Sequence, residues 1–236
     1  MKTAFDHSMN KLLTVILVTV AFHLTSANAQ PVGVPPPPPM MPPPAPGQQW
    51  VMLPDPTSHR HLGFFLRPDL GIGFMTTSQP TGTAFGNMTL SGPAGVFGFV
   101  IGGAVAENVI LGAHIYDGVV VNPTVSFSGQ TGVTSNTSLG LYGIGPDFTY
   151  YWMPSNIYFS ATVALTRMSL TANGYSGDSS VGLGTRLALG KEWWVSDHWG
   201  MGLAGHVSTS WNDSGDGSGT TLSTWAFALA FSATYN

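Results

Sequence analysis

Along most of this chain the large apolar residues fall on every second position. The last segment is the plainest case: Trp225, Phe227, Leu229, Phe231 and Tyr235 share one parity, while Ala226, Ala228, Ala230, Ser232 and Thr234 take the other. A period of two sends successive side chains to opposite faces of a strand, so this segment has one large apolar face and one small face. Seven earlier segments repeat the signature. In 64–76, Phe64, Leu66, Leu70, Ile72 and Phe74 oppose Arg67, Asp69, Gly71 and Gly73; in 94–105, Phe97, Phe99, Ile101 and Val105 oppose Gly98, Gly102 and Ala104. Segments 109–121, 138–152, 156–170, 181–193 and 199–211 alternate in the same way.

Two features of these eight segments choose the solvent. They exceed the ~5–6 residues usual for strands of globular sheets and suffice for the about 9–11 residues that cross a bilayer's apolar layer at a barrel tilt. A soluble barrel turns its apolar face inward, yet here the small and charged residues share the face that only a narrow interior can accept. The pattern predicts an all-β fold, an eight-stranded antiparallel transmembrane up-and-down β-barrel over 63–236, apolar outside. Connections alternate accordingly. Long Gly-, Ser-, Thr- and Asn-rich segments (77–91, 122–137, 171–179 and 212–220) follow the odd strands, and tight turns near Asn108, Pro154 and Asp197 follow the even ones. Long loops outside and both termini in the periplasm are the expected arrangement. Aromatic belts are expected at Trp152, Tyr158, Trp193, Trp194, Trp199 and Tyr235 on the turn side, and at Phe74, Trp211 and Trp225 on the other.

The N-terminal part is different. Lys2 and Lys11, an apolar run from Leu12 to Leu24 and the small-x-small Ala27-Asn28-Ala29 read as a signal peptide over 1–29. The prolines between Pro31 and Pro46 favour an extended polyproline spacer, so 30–62 is a periplasmic linker, available to a cell-wall or periplasmic partner. Of 236 residues only 8% are charged, the net charge is −4, and there is no cysteine. The charge leaves no basic patch for nucleic acid, and the missing thiols exclude disulfides, thiolate metal sites and a cysteine nucleophile.

The signal peptide, the eight strands, the segments GPDFTYYWMPSNIYF and LGKEWWVSDHWGMGL and the closing WAFALAFSATY together resemble the small eight-stranded bacterial outer-membrane barrels, of the kind represented by the transmembrane domain of outer membrane protein A and by OmpX and OmpW. The resemblance implies residence in the bacterial outer membrane, contact with membrane lipid and lipopolysaccharide, and delivery by the barrel assembly machinery. Family members end on an aromatic residue; this sequence ends Tyr235-Asn236.

Arg67, Asp69, His114, Asp147 and Arg186 share inward parity and comparable depth, and so are candidates for one buried ionic cluster, a plug that pairs its own charges or a gate. The inward glycines keep the gate open as an alternative, since they leave room for water. Pro68 and Pro146 lie within strands and are expected at bulges. Arg167 stands on the outward parity near the extracellular interface, either as a candidate contact for lipopolysaccharide phosphates or, if a bulge rotates it, as an inward residue. No catalytic residue, cofactor or metal site is predicted. His114 and His206 lack partners at metal-binding spacing, His59-Arg60-His61 is read as linker, and Asn212–Gly217 lacks the closing glutamate of a calcium loop. The expected role is non-enzymatic and monomeric, in envelope integrity or surface interaction, with a narrow solute channel as the alternative.

Overall fold

The computed structural model describes residues 59–81 and 86–236; the signal-peptide and proline-spacer readings lie outside the described residues. Eleven strands follow in chain order: β1 (Phe64–Pro80), β2 (Asn87–Ala106), β3 (Val109–Val121), β4 (Thr124–Phe127), β5 (Gln130–Val133), β6 (Thr137–Trp152), β7 (Ile157–Ala172), β8 (Tyr175–Asp178), β9 (Gly182–Trp194), β10 (Trp199–Asp213) and β11 (Thr221–Tyr235). Eight are long. Each pairs antiparallel with its neighbours in the order β1, β2, β3, β6, β7, β9, β10, β11, and β11 returns to β1 from Leu66↔Tyr235 to Ser78↔Ser223, so the sheet is closed. Closure leaves none of these eight with a free edge.

The predicted parity holds on every long strand. Leu70, Ile72, Val163, Leu203 and Leu229 are among the outward side chains more than half exposed, whereas Arg67, Asp69, His114, Asp147 and Arg186 are buried. Branched and aromatic residues alternating with small ones suit this pleat, because the wide convex face takes bulk and the concave face does not. Two belt assignments are corrected. Tyr158 and Trp194 carry inward parity on β7 and β9, and Tyr158 is fully buried inside the barrel.

The long connections are shorter than their composition suggests. β1 and β2 run on to Pro80 and from Asn87, so most of 77–91 is ladder. Within 122–137, β4 and β5 form a hairpin that pairs β2, and β8 folds back on β7. Thr-, Ser- and Asn-rich sequence reads as loop, but paired strands satisfy its backbone equally well. The turn end is tight: Asn108 carries φ +64° between β2 and β3, the left-handed region asparagine tolerates best after glycine. Pro68 and Pro146 do not bulge. Pro68 faces Phe99 and Pro146 faces Ala113 in unbroken register, because a missing N–H removes a rung without inserting a residue; the one register shift in the barrel pairings lies at Ala104/Ala106.

Inside, two apolar groups sit at opposite ends. Phe65, Val100, Ile110, Tyr151 and Tyr158 gather toward the turn end. Met75, Leu90, Val120, Leu139, Leu141 and Met168 gather toward the loop end.

Candidate functional site

The ionic residues occupy the barrel between those two groups. Arg186 on β9 donates from Nη2 to Asp69 Oδ1 on β1 at 2.9 Å and from Nε to Nδ1 of His206 on β10 at 3.1 Å. Because Nδ1 accepts, the His206 proton sits on Nε2, which lies 3.7 Å from the same Asp69 oxygen. The arginine also stands 5.1 Å from the Tyr116 ring centroid. A fork of donors held by a carboxylate, an imidazole and an aromatic face is the set a buried guanidinium needs.

Asp147 on β6 is held by hydroxyls. Thr149 donates to Oδ2 at 2.7 Å, and Ser160 and Thr162 donate to Oδ1 at 2.7 Å each. Since Thr162 gives its proton to Asp147, its oxygen accepts from His114 Nδ1 at 2.8 Å. Arg67 lies one layer nearer the turn end, donating to Thr149 at 3.4 Å and to the Tyr151 hydroxyl at 3.5 Å, with its guanidinium 4.3 Å from the Tyr158 ring centroid. Tyr151 in turn donates to Glu192 at 3.2 Å, which also accepts from Thr234 at 2.6 Å.

All five predicted interior residues are therefore buried, joined through hydroxyls more than through direct ion pairs. Asp69 pairs with Arg186; Asp147 and His114 meet through Thr162; Arg67 reaches Asp147 only through Thr149, and no carboxylate among the described residues lies within ion-pair distance of it. Charge type and depth alone do not pair ions around a tilted barrel; the neighbouring hydroxyls and rings do. Glu192, Tyr151, Tyr158 and Tyr116 were missed as site residues. Inward parity identifies each of them, yet the first three stand in aromatic segments read as belts.

The inward glycines are not open space. A Cβ on Gly98 would overlap the Asp69 carboxylate, one on Gly143 the Tyr116 ring, one on Gly190 the Tyr158 ring and one on Gly202 the Glu192 side chain. Each glycine is the recess into which a large polar side chain of an adjacent strand leans.

Two sites lie outside this interior. Arg167 keeps its outward parity and pairs with Asp178 on β8 at 3.1 Å. It is in register with Tyr142, which is in register with Asp117, so a polar row crosses β3, β6 and β7 on the outer face. At the turn end His61 is fully buried, stacked on Tyr151 with centroids 3.5 Å apart. Its ring nitrogens lie 2.9 Å from the Asn236 and 2.8 Å from the Asn156 side chain. Burial pushes its pKa below the ordinary 6.5, outweighing those two hydrogen bonds. The sequence places this histidine in linker; the structure makes it part of the floor, tied to Asn156 and Asn236 at the turn end.

No family model and no curated protein matches the chain. Among solved structures it is similar to Neisserial surface protein A (13% identity, 73% of this chain and 96% of that one, TM-score 0.49). It is also similar to the outer membrane protein AlkL solved in DMPC bilayers (12%, 79% and 96%, 0.46) and to the outer membrane protein OprG from Pseudomonas aeruginosa (14%, 77% and 100%, 0.42). At this distance the likeness concerns the fold alone and assigns no role to any residue. The return of β11 to β1 makes the chain a closed eight-stranded antiparallel β-barrel, and in that architecture it resembles the small outer-membrane barrels.

Proposed function

We propose that this protein is a non-enzymatic barrel of the bacterial outer membrane, with short turns and both termini on the periplasmic side, whose interior is a plug rather than a pore and whose loop end meets the outside. The observation that carries it is the filling of the interior: Asp69, Glu192, Tyr116 and Tyr158 each occupy the recess of a facing glycine, and Asp147 accepts three hydroxyl bonds. Filling of this kind in a narrow barrel supports a plug over an open lumen. The outward side chains support the membrane setting. Exposed Phe, Leu, Ile, Val and Trp cover all eight long strands, far beyond the apolar patches a water-soluble surface carries.

Its contribution is structural or adhesive: envelope integrity, contact with membrane lipid and lipopolysaccharide, and surface interaction through the loop end. Arg167 is the cation placed to meet lipopolysaccharide phosphate, in competition with Asp178. Delivery by the barrel assembly machinery and an envelope partner for the proline-rich segment complete the proposal.

One observation favours the second reading, a narrow solute channel gated by exchange of the Asp69–Arg186 pair. His114 Nε2, the Tyr116 hydroxyl and the Ser210 hydroxyl are buried without a hydrogen-bond partner in the protein, and buried polar atoms of that kind are commonly satisfied by water. Single-channel recording on the refolded chain in planar bilayers separates the two. A silent bilayer, with the barrel shown folded by heat-modifiable gel mobility, supports the plug; stable steps that change in Arg186→Ala establish the gate and overturn it.

A further inference from the structure

Above the ionic layer the interior opens at the loop end. There β1, β2 and β11 on one side and β6 and β7 on the other frame a cavity of about 270 Å³ whose apolar lining includes Met88, Leu90, Leu139, Met168 and Leu222. Leu90, Leu139 and Met168 belong to the buried apolar group, whereas Met88 and Leu222 are only partly buried against it. Apolar surface facing a wet mouth is costly to leave uncovered, and nothing in the plug below requires it. Met88 and Met168 are among the apolar lining residues, and their unbranched polarisable side chains adapt to ligands of varied shape.

The rim carries the second half of the signature. Asp178 and Asp216 border the same cavity. Asp178 is committed to Arg167 on the outer face. Asp216 pairs with no cation among the described residues: Ser214 and Ser218 hydrogen-bond its carboxylate and fix it, those bonds bring its pKa down to about 2, and the segments 168–180 and 212–222 contain no lysine or arginine. An apolar recess beneath a fixed, uncompensated negative charge is complementary to a molecule with an apolar body and a positive head.

We propose that the loop-end mouth is a binding site for small amphiphilic cations, alkylammonium compounds in chemical class, with the apolar tail between Met88, Met168 and Leu222 and the cationic head at Asp216. The site goes beyond the plugged-barrel reading and does not depend on it, since the cavity lies on the loop side of the ionic layer whether or not that layer conducts.

The full chain, refolded into phosphatidylcholine nanodiscs and checked by heat-modifiable mobility, is titrated calorimetrically with butyltrimethylammonium, hexyltrimethylammonium and hexanesulfonate, with empty nanodiscs as reference. Saturable one-to-one binding of the ammonium compounds is expected, tightening roughly fourfold per added methylene, with hexanesulfonate at least several-fold weaker. Asp216→Asn, an exposed loop change that leaves the barrel untouched, weakens ammonium binding about three- to fivefold, and Leu222→Asn weakens it more. The site is overturned if hexanesulfonate binds as tightly as the ammonium compound, if Asp216→Asn and Leu222→Asn both leave affinity unchanged, or if uptake equals that of empty nanodiscs, which would mean adsorption to lipid.

Discussion

Asp69 on β1 and Arg186 on β9 meet at 2.9 Å inside the barrel although 117 positions separate them in the chain. Both side chains are almost wholly buried, at 2% and 3% exposure, so neither charge has solvent to fall back on. Truncating one partner strands the other in a low-dielectric interior, which costs about 3–5 kcal/mol, whereas removing both avoids much of that penalty. Arg186→Ala is expected to lower the unfolding free energy in lipid vesicles by an amount in that range. The double variant Asp69→Asn/Arg186→Ala should lose clearly less than the sum of the two single variants. Additive losses in urea titrations of the four proteins would show that the pair is not coupled.

His61 gives the turn end a dependence on pH whose sign is fixed by its burial. Its pKa in the folded chain lies below 6.5, the value it regains on unfolding. Between those two values the unfolded chain binds more protons than the folded one, so stability rises with pH there. The contribution of His61 is thus fully present above about pH 6.5 and is lost progressively as the pH falls toward the folded value. His61→Phe keeps the stack on Tyr151 but removes the titration. Denaturant midpoints recorded between roughly pH 7.5 and pH 5 should fall less in this variant than in the parent; parallel profiles would place the pH dependence elsewhere.

Parity along the strands made the barrel legible, because a period of two fixes which side of a closed sheet each residue takes and the apolar side is too long and too uniform for water. It located Arg67, Asp69, His114, Asp147 and Arg186 in the interior as well. What parity does not carry is the pairing around the barrel. Asp69 meets Arg186 because strand tilt and register decide depth, and neither is written in any single segment. The glycines were misjudged for a related reason: Gly98 looks like missing volume in its own strand, yet the volume is supplied by Asp69 of the next one. Tyr158 and Trp194 were assigned by residue type to a belt when their own parity placed them inward. His61 stands before the first strand, where periodicity has nothing to say, and only its contacts with Tyr151, Asn156 and Asn236 reveal it.

Arg167 can be tested without disturbing the fold. Its side chain is 28% exposed and its partner Asp178 43%, and an ion pair so placed contributes on the order of 0–1 kcal/mol. Arg167→Ala should therefore leave heat-modifiable mobility and urea midpoint within experimental scatter while reducing retention of lipopolysaccharide by the purified barrel. Asp178→Asn, which removes the competing carboxylate, should increase it. Equal retention by all three proteins would remove Arg167 from the list of lipopolysaccharide contacts.

Gly98 and Gly95 lie three positions apart on β2 and face opposite ways, which makes them a matched pair for testing whether the interior is filled. A Cβ on Gly98 would overlap the Asp69 carboxylate, and that carboxylate is held by Arg186 and cannot swing aside without breaking the bond; a Cβ on Gly95 would meet nothing within 4 Å. Overfilling a packed interior costs about 1–3 kcal/mol, to which Gly98→Ala adds a weakened ion pair. Gly95→Ala, on the membrane-facing side, should change stability by no more than about 0.5 kcal/mol. The comparison is made by urea unfolding of both variants in the same vesicles. A Gly98→Ala protein as stable as Gly95→Ala would mean that the recess has slack, and a recess with slack at the level of Asp69 would favour the channel over the plug.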